Sequence, residues 1–141
     1  MSKVIIYTGE EGNVHLCVPS QQYMDETGST IEDVMAKDAP SGAIIVDDSI
    51  FPADVHDEFF NAWELHGETI TVNFEKAKAI KLDDYNFWSI GIAQKRNTNT
   101  LAGIPNSPDD ATWMAKLSSD REAIKSATTI EQLKAVSNPK T

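Results

Sequence analysis

Cysteine occurs once, at position 17, in a chain of 141 residues. One thiol cannot form an intrachain disulfide, and it excludes a cysteine-rich zinc site. Long hydrophobic runs are missing as well. The purely apolar stretches, such as Val4–Ile6, are a few residues long, whereas a helix needs about 20 to cross a bilayer. The opening MSKVIIYTGEEG holds one lysine and one short apolar run, so it does not read as a secretory signal. Basic residues are scarce: 12 Lys and Arg stand against 22 Asp and Glu, a formal charge of -10. Phosphate backbones are bound by Lys and Arg displacing counterions, so direct nucleic-acid binding is not expected. The common catalytic signatures are missing too. Gly9 and Gly12 precede a strand pattern rather than opening a helix, no GK[ST] follows, and there is no HExxH, EF-hand loop or GxSxG elbow. No catalytic residue, metal or cofactor is expected.

What is present suffices to fold. At 40% hydrophobic and 24% charged, the chain suits one domain, or a small domain with a helical extension. Charge divides it. Residues 1–75 carry 15 acidic side chains and two lysines, a charge of -13, whereas residues 76–141 carry seven acidic and ten basic ones, a charge of +3. The pattern changes at the same place, from strands and turns to helices.

Lys3–Thr8 and Val14–Val18 form a hairpin signal around Gly9 and Gly12, where positive φ is tolerated, and Pro19 closes the second strand. Residues 20–28 read ambiguously as a helical turn stopped by Gly28. Thr30 with Asp33 makes a capping box for a short helix presenting Ile31, Val34 and Met35. Ala43–Val46 suits a buried strand, and Trp63–Leu65 with Thr69–Phe74 suits another hairpin in which Ile70, Val72 and Phe74 alternate with polar residues. Phe59, Phe60 and Trp63 are the densest aromatic cluster. The expected core is Phe59, Trp63, Ile70, Val72 and Phe74, in one sheet of four or five strands.

Asn73 can cap a helix of roughly 20 residues, about 30 Å long, ending near Lys95 and Arg96. Its apolar stripe runs through Phe74, Ala77, Ile80, Tyr85, Trp88 and Ile92, with Gly91 marking a kink or a close approach. NTNTLAGIPNSP, residues 97–108, reads as a loop. Ser107, Pro108 and Asp110 start a helix carrying Trp113, Met114 and Leu117. Thr128 with Glu131 starts a last one bearing Ile130, Leu133 and Val136, and Ser137–Thr141 should fray beyond it. The expected class is α+β: a small, mainly antiparallel sheet with one short helix, then a long helix and short C-terminal helices. Residues 1–75 form an acidic β-rich domain, and 76–141 a helical extension packing on it or on a partner. A helix that long outruns short strands, so Tyr85, Trp88, Ile92 and Trp113 are the candidate interface residues.

Three constellations compete as chemistry. His15, His56 and His66 could approach one another with Asp57 or Glu58 as an oxygen ligand, but surface histidines are the ordinary reading. His15 and Cys17 share one strand face, which permits a thiolate and imidazole pair, although no orienting group or oxyanion hole accompanies them. Asp47 with Asp48, Asp54 with Asp57 or Glu58, and Glu10 with Glu11 could supply hydrolytic carboxylates, yet adjacent acids on turns usually cap backbone. Together the acids could also mimic nucleic acid toward a basic host protein.

The segment VDDSIFPADVHDEFFNAWELHGETITVNFEKAKAI resembles a stretch of small bacteriophage proteins encoded among tail or other virion genes. The likeness lies in an acidic turn with a proline, an aromatic-x-Ala-Trp-Glu, a glycine turn, a β-branched strand and a Lys-Ala-x-x-Ile helix start. The closing TTIEQLKAV resembles their C-terminal helix, and the early Val-Pro, short helix and Ala-Pro-x-Gly fit their N-terminal part. The chain departs from them at Asp57, Glu58 and Phe59 and in LDDYNFWSIGIAQKR, where they carry an arginine-rich helix. The resemblance implies a structural or assembly accessory of a virion, acting by contacts with phage structural proteins or with itself, in the host cytoplasm during assembly and in the virion. The alternatives are an acidic inhibitor of a host protein and a small hydrolase with dispersed active-site residues.

Overall fold

The computed structural model describes residues 2–139. The chain is α+β and divides into two compact units, Met1–Asn73 and Phe74–Thr141.

In the first unit the β-branched run Lys3–Thr8 forms β1, which is central. It pairs antiparallel with β2 (Val14–Cys17), with Tyr7 opposite His15, and with β3 (Ile44–Asp47), with Val4 opposite Val46. Gly12 turns the hairpin at φ 86, whereas Gly9 serves by being small: a β-carbon there would run into the His15 ring. β4 (Trp63–His66) and β5 (Thr69–Val72) form a separate two-stranded ladder turned at Gly67. The expected single sheet is therefore two. Side-chain packing rather than hydrogen bonds joins them, because Trp63 and Ile70 are buried against Val4, Ile6, Val14 and Val46. Phe51 and Phe60 tilt onto the Trp63 indole at 5.5 and 4.9 Å. A fully covered indole of about 200 Å² contributes about 5 kcal/mol, which makes Trp63 the largest single anchor of this unit.

Two short helices, not one, precede β3. Ser20 caps α1 (Gln21–Thr27), and Gly28 ends it in the left-handed region at φ 69. α2 (Ile31–Asp38) begins with the expected capping box, Thr30 and Asp33 each accepting the other's backbone N–H. It lies against β1 and β3 and buries Val34. Of the expected core, Phe59, Trp63 and Ile70 are buried and Val72 packs partly covered beside them. Phe74 departs from the expectation: β5 stops at Val72, and Phe74 opens the next helix half-buried.

The second unit is helical. α3 spans Phe74–Leu101, 28 residues, and packs against α4 (Asp110–Ser126) and α5 (Ile130–Ala135). α3 runs past Arg96 into the segment read as a loop. Thr98 and Thr100 hydroxyls donate to the carbonyls of Gln94 and Arg96, and Gly103 at φ 72 finally turns the chain. Asp109, not Ser107, caps α4 by accepting the Thr112 N–H, so Pro108 lies outside the helix rather than at its first position. Thr129, one residue beyond the expected start, caps α5. Of the tail expected to fray, residues 140 and 141 lie outside the described residues.

Candidate interaction face

The histidine and cysteine candidates lie on β2, on a loop and on β4. His15 stacks on its cross-strand neighbour Tyr7, with ring centroids 5.3 Å apart and 19° between planes. Cys17 lies half-buried two residues further along the strand. His56 is exposed in a loop where its own N–H donates to Asp54, and exposed His66 sits 4.0 Å from Glu64. Among the described residues no three His, Cys, Asp or Glu side chains are grouped to hold a metal ion. Several of the paired acids accept backbone N–H groups. Asp47 accepts the Ser49 N–H, which holds its carboxyl below the ordinary value, Asp48 accepts from Ser2, and Asp57 accepts from Phe59.

α3 is built differently. Its covered face carries Ala77, Lys81, Tyr85, Ser89, Ile92 and Arg96, spaced three or four residues apart. Ser89 and Arg96 on this face are hydrogen-bonded. The Ser89 hydroxyl donates to the Tyr85 carbonyl. Arg96 is the principal clamp: its guanidinium lies over Trp113 at 4.8 Å, donates to the Pro108 carbonyl, and meets Asp110 at 3.0 Å. Asn106 ties the same loop down by donating to the Arg96 carbonyl. The Tyr85 hydroxyl donates to Asp120 at 2.6 Å, and Lys116 meets the same oxygen at 2.7 Å. Burial first, and then the Asp120 bond, push the Tyr85 pKa above the usual phenol value. A pocket of about 340 Å³ opens beside them, bounded by Tyr85, Pro108, Trp113, Leu117 and Asn138.

Three of the four candidate interface residues, Tyr85, Ile92 and Trp113, are thus placed inside the helical unit, each less than a tenth exposed. Trp88 alone is outside. Its neighbours there were not singled out from the sequence: Phe87 is 71% exposed, Trp88 52% and Ile90 60%. Phe87 and Trp88 rings meet edge to face at 6.1 Å. Leu101 is exposed further along. Gly91 lies in this surface, and nothing stands within 4 Å of where its β-carbon would be, so it does not serve a close approach within the chain. The adjacent Phe87–Trp88 pair was the available signal, since two neighbouring helix positions cannot both point the same way.

Large apolar side chains gathered on a helix surface mark a contact site more often than a solvated one. No helix among the described residues is long and apolar enough to cross a membrane. Compared with known family models, curated proteins and solved structures, the chain finds no match.

Proposed function

We propose that the protein works by protein contact, as a structural or assembly accessory of a phage virion, and that the outer face of α3 is its contact surface. One observation carries the contact reading: Phe87, Trp88 and Ile90 are more than half exposed on a helix that already packs another face through Tyr85, Ser89 and Ile92. The virion setting rests on the resemblance of residues 45–80 and the C-terminal helix to small phage proteins. The mimicry alternative needs its acids arrayed outward, whereas Asp47, Asp54 and Asp57 hold backbone N–H groups of their own loops and Asp48 holds the N–H of Ser2. The hydrolase alternative needs His15, Cys17 and Asp57 to converge, whereas His15 stacks on Tyr7 and Asp57 accepts the Phe59 N–H of its own loop.

The test is binding of the purified full chain to purified phage structural proteins, measured optically on a sensor surface. Trp88→Ala and Phe87→Ala should each weaken binding by at least about tenfold. Binding that survives both substitutions at full strength would remove α3 from the interface.

A further inference from the structure

The outer edge of α3 is not only apolar; its charges are arranged so that it complements itself. Asp84, Trp88, Gly91 and Lys95 follow one another at intervals of four, three and four residues, which keeps them on one edge of the helix. All four are exposed. An acid stands at one end, a base at the other, and between them lie one large ring and one position with no side chain. Rotating a copy of this edge by half a turn places base against acid and ring against gap. A parallel copy would instead put like charges side by side.

We infer that α3 pairs antiparallel with α3 of a second copy of this chain, about a two-fold axis passing between Ser89 and Ile90. In this register each Asp84 faces the partner copy's Lys95, and each Trp88 lies over the partner copy's Gly91. A two-fold interface uses one patch on both subunits, so every favourable contact occurs twice. Gly91 lets the backbones approach closely, and the edge of the Trp88 ring fills the room it leaves. Glycine inside a helix is unfavourable, and open space around Gly91 shows no benefit for it within one chain; the pairing supplies one. Phe87 flanks the seam and loses solvent with it, whereas Ile90, two residues from Trp88 and so nearly opposite it around the helix, stays outside the pairing. The helical half of the chain is close to neutral, at +3 over residues 76–141, so the overall charge of -10 does not concentrate here.

The pairing rests on α3's outer face being a contact surface, and it names the occupant as a second copy. Sedimentation equilibrium of the full chain from about 1 to about 500 μM should show a monomer–dimer equilibrium. Asp84→Lys and Lys95→Asp should each loosen it by at least about tenfold, while the double exchange, which restores opposite charges in the same register, should recover most of the loss. Gly91→Leu should loosen it comparably with circular dichroism unchanged. A monomer throughout the range overturns the pairing, as does a dimer whose dissociation constant none of these changes moves. A monomer that still binds phage structural proteins through Trp88 sinks the self-pairing alone; one that binds none of them sinks the contact reading with it.

Discussion

The two units of this chain differ in what accompanies hydrophobic side chains in their interiors. In Met1–Asn73, burial follows hydrophobicity: Val4, Ile6, Val14, Val46, Trp63 and Ile70 close one core, and among the described residues no acidic side chain is buried. In Phe74–Thr141 the long helix covers Lys81, Ser89 and Arg96 while exposing Phe87, Trp88 and Ile90. Apolar transfer is enough to explain the first unit. The second requires specific partners, such as the Pro108 carbonyl, Asp110 and the Trp113 ring around Arg96. A buried charge without them would be strongly unfavourable.

The contrast is broken or sharpened first at its two tryptophans. Trp63→Ala should remove about 3 to 5 kcal/mol from the unfolding free energy of the first unit. Trp88→Ala should change stability by no more than about 0.5 kcal/mol in dilute solution, because it leaves no cavity. Urea unfolding followed by circular dichroism compares them directly. Equal losses would mean that Trp88 is as much a core residue as Trp63, and the distinction between units would fall.

Arg96 is next. Arg96→Met keeps the apolar stem over Trp113 but removes the bonds to Pro108 and Asp110, and should destabilise the helical unit by about 1 to 3 kcal/mol. Arg96→Lys should recover only part of this, since an ammonium cannot reproduce the planar fork. A neutral Arg96→Met would show that plain apolar packing suffices here too, and would erase the difference in kind between the two interiors.

Tyr85 gives a smaller effect with a pH signature. Its folded pKa is raised, by burial and by the bond to Asp120. The protonated phenol is therefore favoured by folding, and this stabilisation is fully present below the unfolded value near 10 and lost as pH climbs toward the folded one. Wild-type urea midpoints should fall between about pH 9 and about pH 11, and Tyr85→Phe should flatten that fall. At neutral pH the same substitution should lose about 0.5 to 1.5 kcal/mol. An unchanged alkaline slope would show that the hydroxyl is not held as the geometry indicates.

The same contrast decides what could be read in advance. Both hairpins, the capping box at Thr30 and the helices near residues 110 and 130 were legible, because alternation, caps and turn residues are local signals. The split into two sheets was not, since strand pairing between β1 and β3 joins residues about forty positions apart and no local pattern encodes it. The end of α3 was missed because NTNT has weak helix propensity, and the bonds from Asn106 and the threonine hydroxyls override it. The contact face was only partly legible. A stripe traced through apolar residues led from Phe74 to Ile92 and selected Tyr85 and Ile92, which are inside. The covered face does include Ala77, Tyr85 and Ile92 but continues through Lys81, Ser89 and Arg96, while Phe87 and Ile90, outside that stripe, stand in solvent.

The smallest effect bears most directly on whether the outer face of α3 is unfilled within one chain. Gly91 is helical, exposed and without a neighbour within 4 Å of a β-carbon, so Gly91→Ala meets no obstacle in a single chain. Alanine restricts the unfolded backbone and suits the helix, and should therefore raise stability by about 0.5 to 1 kcal/mol in dilute solution. At high concentration the gain should shrink, because the added methyl occupies the room into which a partner copy's Trp88 would pack. Thermal unfolding at two protein concentrations separates these terms. A loss of stability in dilute solution would mean that something in the same chain already presses on this position, and the helix would then have no vacant side to offer a partner.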